Sequence, residues 1–497
     1  MNISNLKTAG MISGVSLFLG VLFNYLFFDK IPGISFLIFI LFVIGGFILI
    51  SKFLGKSLNR EALWLFVPLL FFSAMLSVRA SLELMFLNIA GSLGLLLLVA
   101  EVSFGRKLKS FFIFDYIKIV FLPFKFLVPL WRVLYLLVFE RPGKEKTSSH
   151  IIKGIAITVP FFFIFLLLFS SADLIFGKYI ANIISIEISE EAVAKIMLIL
   201  VVSMVFTGAY SYIFGERKKG EEIQNGRFIG FIGRIESYIL FGSVNILFLV
   251  FIIIQVAYFF GGESNIVSAG FTYAEYARRG FFELIAVALI SLILLLLADQ
   301  SVSKENGGHS AAFRFLSAAL IVEVLVIMFS AYTRLSLYEE AYGFTVQRLF
   351  SHSFIILLGV IFCLLAYKTL QDGGENSFAF GAFVAVNLFV LGMNMLNPGA
   401  FIARRNLERY DATGKLDVQY LSGLSDDAMP ELIGAINSND NEAMSYLGRE
   451  LYRRGRLESL VKWQSWNIAR IRAVKMLEPK MGELERFKDY RPEQLAK

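Results

Sequence analysis

The sequence has little cysteine, little histidine and little charge, and each shortage excludes a class of protein. The single cysteine, Cys363, can form no disulfide within the chain and cannot build a cysteine-based metal cluster. The three histidines, His150, His309 and His352, are too scattered for a zinc-binding helix motif. Charged residues make up 18% of the chain, whereas soluble domains carry about a quarter. We therefore expect no metal and no cofactor.

What the sequence has in abundance is apolar surface. Apolar residues make up 57% of it, and uncharged runs long enough to cross a bilayer recur along its length. We predict an all-α, polytopic helical membrane protein of about eleven spans, with a soluble helical domain at the C-terminus. The predicted spans are 10–28, 33–50, 62–78, 84–100, 154–172, 192–212, 236–258, 280–298, 315–333, 349–367 and 378–396.

The runs and their interruptions divide the chain into four parts. We expect four spans in 1–100, a basic segment in 101–153, about seven spans in 154–396 and the soluble domain in 397–497. Within the basic segment, Phe and Leu alternate with charged residues over 110–139, and two prolines interrupt the pattern. This predicts a pair of amphipathic helices lying on the inner membrane surface. One further span is the alternative.

Loop charges predict the orientation. With the N-terminus in the cytoplasm, the inner segments hold 22 Lys and Arg residues and the outer segments hold 8. An odd number of spans then places the C-terminal domain outside the cytoplasm, whereas one further span within 110–139 would place it inside. The net charge of +7 thus bears on topology and not on nucleic acid, and the bilayer is the partner that the sequence implies.

Tyr, Glu and Arg concentrate at the predicted outer face, in 273–283 and again in 334–348. In a helix, Glu275, Arg279 and Glu283 would follow one another at intervals of one turn. Tyr and Arg at span ends are commonly headgroup anchors, but anchoring does not require so many carboxylates. The candidate cluster consists of Tyr273, Glu275, Tyr276, Arg278, Arg279, Glu283, Arg334, Tyr338, Glu339, Glu340, Tyr342 and Arg348. Three secondary candidates on the same face are Asp173, Arg404 and Arg405.

One acid lies within the membrane itself. Glu323 falls almost at the midpoint of the 315–333 span, and no Lys or Arg lies in the middle of any predicted span. Such a carboxyl is either hydrogen-bonded to polar neighbours as structural glue, or exposed to a wet cavity as a proton or cation site.

The C-terminal domain shows helix signals of its own. Ser425-Asp426-Asp427 and Asn439-Asp440 are typical helix starts, and apolar spacing from Leu460 to Leu477 predicts a third long helix. On that helix we expect Trp463 and Trp466 to belong to the core.

Motifs of soluble enzymes are missing, since neither a phosphate loop nor a Gly-x-Ser-x-Gly elbow occurs. Transferases of lipid-linked sugars usually carry acids on a long first outer loop, whereas that loop is here little more than 29–32. Enzymatic activity is therefore disfavoured, although not excluded.

Several motifs together resemble one family. They are Phe259-Phe-Gly-Gly262, Tyr273-Ala-Glu-Tyr-Ala-Arg-Arg-Gly-Phe281, Leu337-Tyr-Glu-Glu-Ala-Tyr-Gly-Phe344, Asn397-Pro-Gly-Ala-Phe-Ile-Ala-Arg-Arg-Asn406 and 417–427. They resemble a bacterial family of multi-pass membrane proteins catalogued as a domain of unknown function, number forty-one seventy-three. Gly399 stands where the family pattern has an acid. The resemblance implies a location in the bacterial cell (inner) membrane, and it implies no activity.

Three functions are consistent with these features. In a sensor or scaffold, the outer cluster would dock the C-terminal domain or a partner protein. In a permease-like protein, it would admit a small solute or a proton toward Glu323. In a membrane enzyme, it would act on lipid or cell-envelope intermediates. The absence of matching broken helices in two halves disfavours the permease, so we favour the sensor or scaffold.

Overall fold

The computed structural model describes most of the chain. The described ranges are 6–57, 59–103, 107–139, 172–183, 189–215, 232–260, 281–302, 309–371, 373–436, 442–457 and 462–490, with isolated helical positions between 158 and 170.

The described residues form helices joined by short turns, which confirms the all-α class. The helices that precede the C-terminal domain are α1 Leu6–Phe27, α2 Ile34–Phe53, α3 Arg60–Met75, α4 Leu82–Val102, α5 Ile113–Ile119, α6 Leu122–Lys125, α7 Leu127–Phe139, α8 Leu174–Ile183, α9 Glu190–Phe214, α10 Arg234–Phe260, α11 Phe281–Ser301, α12 Ala311–Tyr342, α13 Val346–Gln371 and α14 Glu375–Leu396. Those of the C-terminal domain are α15 Pro398–Thr413, α16 Val418–Ser422, α17 Met429–Ile436, α18 Glu442–Leu457, α19 Ile468–Leu477 and α20 Met481–Leu484.

Nine of the described helices are long and apolar enough to cross a membrane, or up to ten if a bent pair counts as one span. The predicted count was eleven. The 62–78 span corresponds to α3, which has only 16 residues and contains Pro68, and the 154–172 span lies largely outside the described residues. The bent pair is α5 with 122–137, which meet at 63° within the 110–139 segment.

Hydrogen bonds between helix ends define two ends of the bundle. At one end, Lys56 Nζ donates to the carbonyl of Phe214, 2.7 Å away, and Ile232 N donates to that of Ser301. We call this the proximal end, and α1 begins there. The opposite end, here the distal end, holds the turns 28–33, 76–81 and 343–345.

Among the described residues, apolar packing forms two large cores in the bundle, a small one of Ala9, Val133 and Leu136, and one core in the C-terminal domain. The first joins α1 to α4 with α9, and the second joins α10 to α13. Helix α14 contributes Phe378 to the second core and Val390 to the first. The core of the C-terminal domain lies within 402–487 and also takes in Leu349 from α13.

Two residues with positive φ shape the distal end. Gly343, with φ of 83°, ends α12 and begins the distal turn. Asn397, with φ of 54°, separates α14 from α15, whose first residue is Pro398. The C-terminal domain thus begins directly at the distal end, the end opposite the start of α1.

Candidate functional site

Part of the predicted cluster lies outside the described residues, namely Tyr273, Glu275, Tyr276, Arg278 and Arg279.

The other peripheral candidates occupy exposed positions. Glu283 is exposed in the first turn of α11. Asp173 accepts hydrogen bonds from the backbone of Ile175 and Phe176, so it caps α8. In α15, Arg404 and Arg405 pair with Glu431 and Glu408, and both arginine side chains are more than half exposed.

The 334–348 half of the cluster lies at the distal end of α12 and the start of α13. Helix α12 has 32 residues and is about 48 Å long, whereas the hydrocarbon core of a bilayer is about 30 Å thick. About a dozen residues of α12 can therefore extend beyond the hydrocarbon. Among the side chains there, Arg334 and Glu339 are buried, whereas Glu340 and Tyr342 are exposed.

Glu339 binds a residue that the candidate cluster did not include. Its Oε2 lies 3.0 Å from Nδ1 of His352, while Nε2 of that ring is 3.2 Å from the carbonyl oxygen of Tyr332 and 3.2 Å from Ser336 Oγ. The buried His352 ring thus contacts a carboxylate through one nitrogen and the oxygens of α12 through the other. Glu339 Oε1 has no hydrogen-bond partner among the described residues.

Tyr338 and Arg348 brace the turn that follows α12. The Arg348 guanidinium lies over the Tyr338 ring, 4.1 Å from its centroid, and donates to the carbonyl of Gly343. The Tyr338 ring also packs against Tyr342, with centroids 4.9 Å apart.

The C-terminal domain binds this turn through its first helix. Asn406 in α15 donates to the carbonyl of Phe344 at 2.8 Å and accepts from its N–H at 2.8 Å. Arg409 donates to the carbonyls of Glu340 and Ala341, and the Tyr420 hydroxyl accepts from Val346 N. A side-chain amide, a guanidinium and a hydroxyl of the domain thus bind backbone groups at the α12–α13 turn.

A second attachment centres on Asp427, whose side chain is 1% exposed. Its Oδ2 accepts from the N–H groups of Ala80 and Ser81, at 2.7 and 3.1 Å, and Oδ1 lies 3.7 Å from the Arg79 guanidinium. Burial raises the pKa of the Asp427 carboxyl, and the loop amides and Arg79 oppose that rise without cancelling it. Arg79 also donates to the carbonyl of Asn394 in α14.

A third attachment reaches α2 and α3. Asn467 donates to the carbonyls of Leu76 and Arg79, at 2.9 and 2.8 Å, and Ile468 N donates to that of Ser77 at 2.7 Å. Ile34 N, at the start of α2, donates to the carbonyl of Trp466 at 3.0 Å. We call the three attachments together the seat of the C-terminal domain.

A cleft of about 760 Å³ opens along the seam between bundle and domain. Ser81, Glu83 and Val346 line its bundle side, whereas the domain contributes residues of both charges. The domain residues include Gly399, Gln419, Tyr420, Asp426, Arg453 and Arg454. A Cβ at Gly399 would lie 2.9 Å from Ser425 Oγ and 3.3 Å from Asp427 Cβ, so a larger residue there would crowd the Asp427 attachment.

Two polar features lie away from the seat. Glu323 is half-buried near the middle of α12, and its Oε2 has no hydrogen-bond partner among the described residues. Nearer the proximal end, Asp299 lies 2.6 Å from Lys368 Nζ and 3.4 Å from His309 Nε2. Sequence reasoning missed this group because its members come from three different helix ends.

Sequence reasoning also missed Asn406, Asp427, Asn467 and His352 as site residues. Only Asn467 gave a local signal, since an Asn directly before an apolar helical run is a typical N-cap. Trp463 and Trp466 were expected in the core, and this expectation is wrong: they are 52% and 40% exposed. The reason is that Asn467 caps α19 by accepting from Arg470 N, so the helix begins only after both tryptophans.

Comparison with known proteins places the chain in a family. The sequence profile described as "Domain of unknown function (DUF4153)" matches residues 66–435, from α3 through α17. Neither a curated protein nor a solved structure matches the chain. The match confirms the resemblance to a membrane-protein family of unknown function, and the matching profile carries the number 4153 where the motifs suggested 4173. The chain is therefore a polytopic helical membrane protein and belongs to the DUF4153 family.

Proposed function

We propose that the chain is a membrane-embedded sensor or docking protein, whose bundle holds its own C-terminal domain at the distal face. The observation that carries this proposal is the Asp427 attachment. A nearly inaccessible carboxylate of the domain accepts two backbone N–H groups from the α3–α4 turn of the bundle. Burying a charged group is costly unless it is paired and hydrogen-bonded. The buried Asp427 carboxylate therefore needs the two N–H groups of the turn, and it reaches them when the domain is seated.

In this proposal the seat acts as a switch, in which the three attachments between bundle and domain form and break together. The cleft along the seam offers a place for a small solute or a segment of a partner protein. A ligand that binds better to the seated than to the released domain shifts the balance between the two states. Val346, which lines this cleft, belongs to the 334–348 segment that holds described members of the Tyr/Glu/Arg cluster, which supports a docking role for that segment.

We further propose that the distal end faces away from the cytoplasm of a bacterial cell. Basic residues are enriched in the segments predicted to be inner. The start of α1 and the C-terminal domain lie at opposite ends of the bundle, as an odd number of crossings requires.

Genetic complementation tests the proposed function and separates it from the permease alternative. A deletion strain with a measurable growth or transcription phenotype is complemented with variants at equal membrane levels. Docking predicts that Asp427→Ala fails to complement, whereas Glu323→Gln succeeds. Glu408→Ala, which removes an exposed ion pair, is the matched control and should also succeed.

The opposite pattern would contradict the proposal. Complementation by Asp427→Ala together with failure of Glu323→Gln would identify Glu323 as the working group. The permease-like function is the second candidate because a buried oxygen of Glu323 has no hydrogen-bond partner among the described residues.

A further inference from the structure

The segment 462–468 of the C-terminal domain reverses the usual distribution of polar and apolar side chains. Its apolar members, Trp463, Trp466 and Ile468, are 52%, 40% and 45% exposed. A surface that faced only water would more often bury such side chains and expose polar ones. The polar side chains that alternate with them are each at most 5% exposed: Gln464, Ser465 and Asn467.

Two hydrogen bonds fix the height of this segment relative to the spans. The carbonyl of Trp466 accepts from Ile34 N at the start of α2, and Ile468 N donates to the carbonyl of Ser77, just beyond α3. Helix α2 has 20 residues, so its length of about 30 Å matches the hydrocarbon core of a bilayer. Ile34 therefore lies at the boundary between hydrocarbon and headgroups, and the tryptophans lie at the same level.

Lys462 begins this segment, and Lys30 of the bundle lies within electrostatic reach of Lys462 and of Lys195. Lys30 lies over the Tyr25 ring, 5.0 Å from its centroid, and that ring is 6.3 Å from the ring of Trp463. Burial lowers the pKa of Lys30, and repulsion from Lys462 and Lys195 lowers it further. The Lys30 ammonium is thus repelled by the other two, and an anion beside it would relieve that repulsion.

Two carboxylates accompany the lysines. Asp29 lies 3.8 Å from Lys462 Nζ, and Glu191 lies 2.6 Å from Lys195 Nζ. Their side chains are 85% and 64% exposed, so water screens both. They offset only part of the positive charge, and attraction to Asp29 opposes the lowering of the Lys30 pKa without cancelling it.

We infer that residues 462–468, together with Tyr25, Lys30 and Lys195, form a binding surface for the headgroups of anionic phospholipids in the leaflet on the distal side. Tryptophan favours this layer because its ring is largely apolar and its N–H group still needs a partner. Lysine ammonium groups there attract lipid phosphate. The inference rests on the proposed seating of the domain and adds a lipid contact to it.

Tryptophan quenching by lipids tests the inference on the full chain in vesicles. Trp64 and Trp131 are replaced by Phe, so that emission comes from the two tryptophans of the domain. Vesicles contain equal amounts of phosphatidylglycerol and phosphatidylcholine, with bromine on the acyl chains of one lipid or the other. We expect brominated phosphatidylglycerol to quench about twofold more strongly than brominated phosphatidylcholine.

Lysine variants assign the preference to named residues. The triple variant Lys30→Gln, Lys195→Gln and Lys462→Gln should make the two brominated lipids equally effective. Lys488→Gln is the control, because Lys488 pairs with Glu485 in another part of the domain and should retain the preference.

Two results would overturn the inference. Equal quenching by both lipids in the protein with all its lysines would show that the surface has no preference for anionic headgroups. Efficient quenching by aqueous acrylamide without any quenching by lipid would remove the membrane contact altogether. A disulfide engineered between Ser77 and Ile468 reports seating independently: if it forms while lipid quenching is absent, this inference fails and the seat stands. If it also fails to form, the proposed function fails.

Discussion

Replacing Asp427 by alanine is expected to release the C-terminal domain from the distal end of the bundle. The carboxylate accepts from two N–H groups of the α3–α4 turn, and Ser81 is itself buried. Removing the acceptor leaves these donors unsatisfied, at a cost of about 1–3 kcal/mol each. It also removes the carboxylate beside Arg79, whose side chain is only 19% exposed.

The combined loss should amount to about 3–5 kcal/mol, as for one partner of a buried ion pair. This corresponds to a fall of roughly a hundred- to a few-thousand-fold in the ratio of seated to released domain. Asp427→Asn keeps one acceptor oxygen for the turn and replaces the other by an NH2 donor, so it should cost less than Asp427→Ala, about 1–2 kcal/mol. Glu408→Ala removes an exposed pair and should cost about 0–1 kcal/mol.

Hydrogen–deuterium exchange of the full chain in membranes measures the effect. Amides in 76–81 and 418–436 should lose protection most in Asp427→Ala, less in Asp427→Asn and hardly at all in Glu408→Ala. If Asp427→Ala keeps wild-type protection in both ranges, the attachment does not hold the domain and the reasoning is refuted.

Four further predictions concern pH, the intramembrane acid, the undescribed arginines and topology. Burial raises the pKa of Asp427 above the ordinary value of about 3.9, so the seated domain binds this proton more tightly than the released one. The contribution of Asp427 to seating should therefore be greatest below that value and weaken as pH rises through the raised pKa; Asp427→Asn should remove this dependence of exchange protection on pH. If Glu323 is structural glue, Glu323→Gln should leave thermal stability and proton flux unchanged while Glu323→Leu costs about 1–2 kcal/mol, whereas a loss of flux in Glu323→Gln at unchanged stability would support the permease. A double-mutant cycle of Arg279→Gln with Glu339→Gln should show a coupling energy above about 0.5 kcal/mol, and strict additivity would show that the two do not pair. An enzyme reporter that is active only outside the cytoplasm should be active when fused after Lys497, and activity of a cytoplasmic reporter there would reverse the proposed orientation.

The membrane class could be predicted from sequence because the bilayer acts locally. Each span must satisfy its own backbone hydrogen bonds and present apolar side chains over about 20 residues, and both requirements are visible within one run. The number of spans was harder to predict, because a short or interrupted apolar run is ambiguous when it is judged by itself. Helix α3 is short and contains Pro68, and 110–139 folds as helices bent by 63°.

The site could be predicted only in part. The density of Tyr, Glu and Arg drew attention to 334–348, and backbone groups of 340–346 bind the C-terminal domain in the structure. The partners were not predictable, because Asp427 and Ala80 lie 347 residues apart in sequence. Asp427 was interpreted as part of a helix start, and local patterns cannot show that its carboxylate serves another element.

The tryptophans show how a periodic pattern can mislead. Their spacing from Ile471 and Leu477 suits one face of a helix, so burial was expected for Trp463 and Trp466. The helix begins only after its N-cap Asn467, so both tryptophans precede it. The backbone of the tryptophan segment instead binds the start of α2 and the turn after α3. Burial therefore follows the tertiary contacts and not the apolar spacing.

The most direct test of the seat is a disulfide between Ser77→Cys and Ile468→Cys, formed in intact cells in a Cys363→Ser background. The hydrogen bond of 2.7 Å between the two backbones brings these positions within the reach of a disulfide. We predict efficient formation of this bond, and none between Lys56→Cys and Ile468→Cys, which lie at opposite ends of the bundle. If the first pair stays reduced under oxidising conditions in correctly inserted protein, the C-terminal domain is not seated on the distal end and the central claim is wrong.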